Sequence, residues 1–147
     1  MRIGIACDHR GFEAKRKLLP VLKKAGHEPQ DFGCDSTASC DYPDLAFPAA
    51  RSVAGAANDV GILMDGSGIG MSVAANKVKG IRAALVHDEV TARRAREHNH
   101  CNVLCLGTDL LSEEQIRNIV EIFLTTPFAE GRHAQRVAKI TEFEKSP

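Results

Sequence analysis

The sequence predicts an α/β protein in which helices cover both faces of a parallel sheet. Apolar, strand-like runs alternate with amphipathic helical stretches along the whole chain. The strand-like runs are unbroken rather than alternating, which is typical of strands that are buried on both faces. The chain has 147 residues, near the usual size of one domain, and we expect a single domain over residues 1–147.

Local signals in the sequence indicate where several of the helices begin or end. Asp88 is a good N-cap, and Ser112 with Gln115 forms a capping box. Gly26 is a plausible stop for the first helix, and Pro20 inside it removes a backbone donor, so we expect a kink or an early break there. Strands are expected over residues 3–7, 28–33, 60–64, 82–86 and 103–106, and helices over about 12–25, 41–57, 71–77, 88–98, 112–124 and 130–144.

Composition excludes several classes of function. The 19 basic and 19 acidic residues balance, so the chain lacks the basic excess typical of proteins that bind nucleic acid or anionic membranes. No apolar run is long enough for a membrane span, and the first apolar stretch meets Asp8 too early for a signal peptide. The five cysteines are odd in number and contain no C-x-x-C pair. We therefore expect reduced thiols in a cytoplasmic protein, without disulfides or a zinc ribbon.

Ligands of open parallel sheets bind outside the carboxyl ends of the strands. The segments that follow the expected strands are therefore the candidate binding residues. They are Asp8–His9, Asp65–Gly70, His87–Asp88 and Gly107–Asp109.

The strongest motif is the glycine-rich segment Asp65–Ser72, between a strand and a helix. Its backbone N–H groups and the following helix N-terminus can form an anion hole. A dinucleotide fingerprint is the first alternative, but Met71 stands where its third glycine belongs, and the loop follows the third strand instead of the first. A tight turn that needs glycine only for its geometry is the other reading.

Asp65 lies at the edge of this loop and has two interpretations. A carboxylate beside an anion hole can abstract a proton next to a carbonyl while the hole holds the enediolate oxygen. Alternatively, Asp65 only caps the next helix, as aspartate often does.

Arg132 and Arg136 are four residues apart, so on a helix they share a face and can grip one phosphate. A solvated charged face is the alternative. His9 and His98 could move protons near neutral pH, or serve as surface or capping histidines. His98, His100 and Cys101 adjoin one another, but neighbours in a turn rarely converge on one ion, and no metal is expected.

Taken together, these residues resemble the type B ribose-5-phosphate isomerase family, which also includes the galactose-6-phosphate isomerase subunits. The resemblance spans essentially the whole chain, and its glycine loop with the following Ala-Ala-Asn-Lys is highly specific. It implies a three-layer α/β/α sandwich with a Rossmann-like, five-stranded parallel sheet. The matching segments are Gly4–His9 with Gly11–Phe12, Asp41–Pro43, Gly66–Lys77, Gly80–Ala83, His98–Asn99, Asn102–Leu104, and Gly131–His133 with Gln135–Val137.

The resemblance also implies a role for each matching residue. Ser67 and His98 would open the sugar ring, and the loop amides would hold the enediolate. Arg132 and Arg136 would bind the phosphate, with His133 beside them. The remaining substrate-binding residues would be Asp8, His9, Tyr42, Gly66, Gly68, Ile69, Gly70 and Asn99.

Two positions depart from the family pattern. Many members have a cysteine base where this chain has Asp65, and a second group has a glutamate base at the position of Met71. Asp65 is then the side chain left to serve as the base, and a carboxylate is ionised at neutral pH without activation. Asp109 stands where the family often supplies another phosphate-binding arginine, which puts the identity of the sugar in question.

The sequence therefore predicts a cofactor-independent aldose–ketose isomerase of phosphorylated sugars, with ribose 5-phosphate and ribulose 5-phosphate as the leading pair. An isomerase of another sugar or of a hexose 6-phosphate is one alternative, and a non-catalytic phosphosugar-binding subunit is another. The helix at about 130–144 carries Val137, Ile140 and Phe143 in a stripe. We expect this stripe to pack on a second subunit in a homodimer with shared active sites, or in a tetramer.

Overall fold

Five parallel strands form one sheet in the computed structural model, which describes residues 1–146. The sheet order is β2-β1-β3-β5-β4, and all four strand pairs are parallel. The predicted α/β class is confirmed. The strands are β1 (Arg2–Cys7), β2 (Glu28–Asp31), β3 (Val60–Asp65), β4 (Ala83–Leu85) and β5 (Val103–Gly107).

Six helices connect or follow the strands, each within a few residues of its expected position. The two predicted capping signals are confirmed, since Asp88 pairs reciprocally with Thr91, and Ser112 with Gln115. The helices are α1 (Phe12–Lys24), α2 (Tyr42–Ala54), α3 (Ile69–Ala75), α4 (Glu89–Glu97), α5 (Glu113–Thr125) and α6 (Arg132–Phe143).

The expectation of an early break at Pro20 is wrong, because α1 continues through it to Lys24. Proline removes the N–H that would bond to the carbonyl of Arg16. Both residues lie on the exposed side of α1, where water can satisfy that carbonyl. The missing hydrogen bond therefore does not end the helix.

The helices form two layers on either side of the sheet, which confirms the three-layer sandwich. One core contains apolar residues of α1, α4 and α5, and the other contains those of α2 and α3. β3 is buried along its whole length, as its unbroken apolar run predicts. Within residues 1–146, no helix combines the length and apolar character needed to cross a bilayer.

The strand order brings the ends of β1, β3 and β5 together. From β1 the chain turns to β2 on one side, whereas β3 continues the sheet on the other, which makes the gap between β1 and β3 a topological switch point. Cys7 lies opposite Met64, and Asp65 opposite Gly107. The segments after these strands consequently meet at one edge of the sheet.

Candidate active site

A cleft of about 520 Å³ opens at this edge. Three of its lining side chains are carboxylates, and we call it the acidic cleft. Its lining combines the segments after β1, β3 and β5 with the start of α2, as the strand-end rule predicts. The lining residues are Asp8, Arg10, Tyr42, Asp65, Gly66, Ser67, Gly70, Asp109 and Leu110.

The Asp65 carboxylate accepts three backbone hydrogen bonds from its own loop. Oδ1 accepts from the N–H of Ser67 at 2.9 Å and from that of Gly68, and Oδ2 accepts from the N–H of Met71 at 2.9 Å. Met71 lies in the first turn of α3, so Asp65 does make the capping contact that was one of its two interpretations. Oδ2 accepts one bond only and keeps a lone pair for another donor. The side chain is 5% exposed and borders the cleft.

Two glycines let the loop lie directly against β5. Gly68 has a φ of +78° and packs on Leu85 and Gly107. A Cβ at Gly107 would lie 2.6 Å from the carbonyl oxygen of Ser67, closer than any side chain allows. This contact fixes the loop against the sheet and explains glycine at both positions.

The loop amides are not all available to a ligand. Those of Ser67 and Gly68 donate to Asp65, and that of Ile69 donates to the Ser67 hydroxyl at 3.2 Å. Within residues 1–146, the amides of Gly66 and Gly70 donate to no protein acceptor. The amides of Gly66 and Gly70 are therefore the ones with no acceptor in the described residues, and the predicted binding of substrate by Gly66 to Gly70 stays a prediction.

Asp8 and Tyr42 also line the cleft. Asp8 is buried, and its Oδ1 accepts from the backbone N–H groups of Arg10 and Gly11 at 2.9 and 3.1 Å. Its Oδ2 lies 4.0 Å from Nδ1 of His9. The ring of Tyr42 covers Gly70, since a Cβ there would lie 2.8 Å from the ring. Asp8 and Tyr42 therefore border the loop, and Nδ1 of His9 accepts from the backbone N–H of Cys40 at 3.4 Å.

The other predicted residues gather elsewhere, around the start of α6. The rings of His98 and His133 stack at 4.2 Å between centroids with 3° between their planes. Arg132 and Arg136 are exposed on α6 one turn apart. We call these four residues the cationic cluster, and Asn99 follows His98 directly. Partial desolvation and the charges of His98 and both arginines lower the pKa of His133.

The predicted site residues thus fall into two groups within one chain. In residues 1–146, no hydrogen bond, ion pair or ring contact joins the cationic cluster to the acidic cleft. Equally, no group of three or more metal-ligating side chains occurs in the described part of the chain.

Arg10 is a cleft residue that the sequence analysis did not select. Its guanidinium contacts Asp109, with Nε 2.8 Å and Nη2 2.6 Å from Oδ2. The feature that could have identified it as a site residue is its position directly after Asp8 and His9, at the end of a strand.

A family model described as Ribose/Galactose Isomerase matches residues 3–140. The chain belongs to this family. The ribose-5-phosphate isomerase B of Escherichia coli is 40% identical over 144 residues, covering 98% of this chain and 97% of that protein. The similarity extends over nearly the full length of both chains, here and in the solved structures of the family.

Solved structures agree with this assignment. The ribose-5-phosphate isomerase B of Clostridium thermocellum superposes with a TM-score of 0.97 at 46% identity, covering 99% of this chain and 98% of that one. That of Mycoplasma genitalium, solved with bound ribulose-5-phosphate, gives a TM-score of 0.96 at 42% identity and covers 99% and 97%. The predicted family resemblance is confirmed.

Proposed function

We propose that this protein interconverts ribose 5-phosphate and ribulose 5-phosphate as an aldose–ketose isomerase. The observation that carries the proposal is the Asp65 carboxylate, which borders a cleft beside two unbonded loop amides. The relative from Mycoplasma genitalium with bound ribulose-5-phosphate supports the substrate class. Five free thiols within the described residues suit an enzyme of the reducing cytoplasm, where we place it.

Asp65 is the proposed base. Its Oδ2 takes the proton from C2 of the open-chain aldose, and the C2–H electron pair forms the C1–C2 double bond of an enediolate. The amides of Gly66 and Gly70 donate to the enediolate oxygen that bears the developing charge. As the double bond forms, the π pair of the C1 carbonyl moves onto O1. Transfer of the O2 hydroxyl proton to O1 and return of the proton from Asp65 to C1 then turn C2–O2 into the carbonyl of the ketose. The three hydrogen bonds from the loop hold the carboxylate in place during both transfers.

Ring opening precedes this step. In the proposed mechanism His98 of the partner subunit and the Ser67 hydroxyl move the protons of the ring oxygen and the anomeric hydroxyl. Asp8, Tyr42 and Asn99 bind sugar hydroxyls. His9 accepts a hydrogen bond from the backbone N–H of Cys40 at Nδ1, 3.4 Å away, which leaves its Nε2–H as the donor that we assign to the substrate.

The phosphate binds to the cationic cluster, and this requires a second subunit. Arg132 and Arg136 supply cations at the first turns of α6, and His133 supplies an imidazole that takes up a proton when phosphate binds; the helix dipole also favours an anion there. Because the cluster contacts no part of its own chain's cleft, we infer that it completes the cleft of a partner in a homodimer. Exposed apolar residues on α3 (Ile69 and Val73) and on α6 (Ile140 and Phe143) support such an interface.

The test is an isomerisation assay on a panel of five- and six-carbon sugar phosphates, with proton exchange at C2 followed by NMR in deuterated water. We expect turnover of ribose 5-phosphate, and solvent deuterium at the transferred position. Turnover of only a hexose phosphate would change the substrate, and the absence of any exchange would contradict an isomerase.

A non-catalytic phosphosugar-binding protein is a second candidate. The three loop amides bonded to Asp65 favour it, because they give this residue a structural role without chemistry. Binding of ribose 5-phosphate without exchange at C2 would establish this function instead.

A further inference from the structure

The acidic cleft presents an electrostatic problem for any phosphorylated ligand. Asp8, Asp65 and Asp109 all line it, and each repels a phosphate dianion. Of the side chains that line the cleft in residues 1–146, Arg10 is the only cation. A phosphosugar that enters the cleft therefore depends on Arg10 for attraction from this side.

Arg10 has donors left for such a ligand. A guanidinium carries five N–H groups. The Nε N–H donates to Oδ2 of Asp109 at 2.8 Å, and Nη2 lies 2.6 Å from the same oxygen as an ion-pair contact. These two contacts leave at least three N–H groups unused, including both on Nη1. Arg10 can therefore hold Asp109 and donate to a phosphate at the same time.

The position of this guanidinium is fixed over the glycine loop. A Cβ at Gly66 would lie 2.8 Å from Nε of Arg10 and 2.7 Å from Oδ2 of Asp109, so the ion pair lies directly on the Gly66 backbone. The backbone of Arg10 is held as well, since its N–H donates to Asp8 and its carbonyl accepts from the Thr108 hydroxyl at 3.2 Å. Contacts with the loops after β1 and β5 thus aim the side chain at the cleft.

An ion pair this exposed contributes little to folding, because Arg10 and Asp109 side chains are 57% and 42% exposed. Arg2 and Asp59 form a comparable pair at the start of β1, with 2.6 Å between Nη2 and Oδ1 and with 50% and 40% exposure. That pair lies at the opposite end of the strand from the cleft. It provides a matched control for the loss of a surface ion pair.

We propose that Arg10 binds the phosphate group of the substrate from the cleft side, and that Asp109 is the positioning residue that orients it. The inference rests on the proposed function and deepens it by naming a residue that selects phosphorylated over unphosphorylated sugars. Arg10 and the cationic cluster of the partner then hold the phosphate from two sides.

The experiment compares Arg10→Ala, Asp109→Ala and Arg2→Ala with the parent protein. For ribose 5-phosphate we expect Arg10→Ala to raise KM about tenfold or more with a smaller change in kcat, as expected for a lost charge-assisted bond. Asp109→Ala keeps the cation but loses its orientation, and its KM rises less. Arg2→Ala matches the parent. The affinity for inorganic phosphate, measured by competitive inhibition, should fall in parallel with the rise in KM.

A double variant separates phosphate binding from a merely structural ion pair. Arg10→Ala with Asp109→Arg restores a guanidinium over Gly66 without restoring the pair. We expect it to recover most of the affinity for phosphate, which a structural role does not allow. Failure to recover affinity in a folded double variant overturns the proposal.

Calorimetric titration with inorganic phosphate distinguishes this proposal from the proposed function. If no sugar phosphate is turned over but Arg10→Ala weakens phosphate binding, the isomerase assignment fails and Arg10 keeps its role. If the parent turns over ribose 5-phosphate and Arg10→Ala binds phosphate equally well, the role of Arg10 is wrong and the isomerase assignment remains.

Discussion

The acidic cleft and the cationic cluster differ in how the chain holds them. Asp8 and Asp65 are buried and tied by backbone hydrogen bonds, so the cleft is organised within one subunit. Arg132 and Arg136 lie on α6, a helix with no buried residue, and Phe143 near its end is 81% exposed. One half of the site is thus preformed, whereas the other half needs a partner to fix its position. We expect the cleft to supply the base for C2 and one phosphate contact through Arg10, and the cluster to supply the remaining phosphate contacts and His98 for ring opening.

The largest expected effect comes from Asp65→Asn, which tests whether the cleft supplies the base. The asparagine oxygen can still accept from the N–H groups of Ser67 and Gly68, whereas its NH2 group replaces Oδ2, gives up the bond from Met71 and cannot take a proton from C2. We expect kcat to fall by about two to four orders of magnitude while inorganic phosphate still binds. Steady-state kinetics and phosphate titration measure the two effects.

Activity of Asp65→Asn within threefold of the parent protein would show that Asp65 is only a cap. Asp8→Asn is the matched control, since Asp8 is also buried in the cleft and bonded to backbone amides. It is expected to weaken sugar binding with a smaller effect on kcat.

The next effect tests the cationic cluster. Arg132→Ala and Arg136→Ala should each weaken binding of the phosphosugar by about 1.5–3 kcal/mol, the usual range for a charge-assisted hydrogen bond. The loss should be much smaller for the unphosphorylated sugar, and Arg117→Ala on α5, paired with Glu113 at 3.1 Å, should have none. Equal losses for both sugars would mean that the arginines are structural.

A smaller effect follows from the lowered pKa of His133. In the free protein its imidazole is neutral at pH 7, and a bound phosphate dianion raises its pKa, so binding takes up a proton. Affinity for the phosphosugar should therefore rise as the pH falls toward 6. His133→Asn should reduce this gain in affinity about threefold. The gain is measured as the ratio of the dissociation constants at pH 8 and pH 6. An identical pH profile in the variant would remove His133 from the phosphate site.

The smallest effect is expected from thiol reagents, because the cleft contains no cysteine in its lining. Burial raises the pKa of Cys7 to about 12 and that of Cys101 to about 11, and it also raises the pKa of Cys105. These thiols remain protonated and unreactive at neutral pH. Iodoacetamide should leave activity nearly unchanged over an hour. Rapid inactivation that substrate prevents would place a reactive thiol in the site.

Local features of the sequence predicted much of the fold. The caps at Asp88 and Ser112 depend on residues three positions away, and the buried strands follow from apolar runs. Local features could not predict contacts between segments that lie far apart in the sequence. Lys15 is buried on α1 because Asp31 and the carbonyl of Cys34 accept its ammonium at 2.5 and 2.8 Å, partners that only the strand order brings close.

The candidate site, too, could be predicted only in part. The sequence pointed to the segments after β1, β3 and β5, since strand ends can be located without knowing the order of strands. It did not predict the bonds from the loop to Asp65, which depend on the path of the backbone around Gly68. Nor did it predict that Arg10 meets Asp109, a residue 99 positions later in the chain.

Mixing two impaired variants, assayed at substrate concentrations below the KM of Arg136→Ala, tests most directly the claim that cleft and cluster come from different subunits. Asp65→Asn removes the base from the cleft and Arg136→Ala removes a phosphate contact from the cluster, so a mixed dimer carries one intact site and one doubly altered site. After joint unfolding and refolding in equal amounts, random pairing in a two-fold dimer should restore about a quarter of the parent activity. Activity no higher than the mean of the two variants, or a fully active monomer in sedimentation, would contradict the shared site.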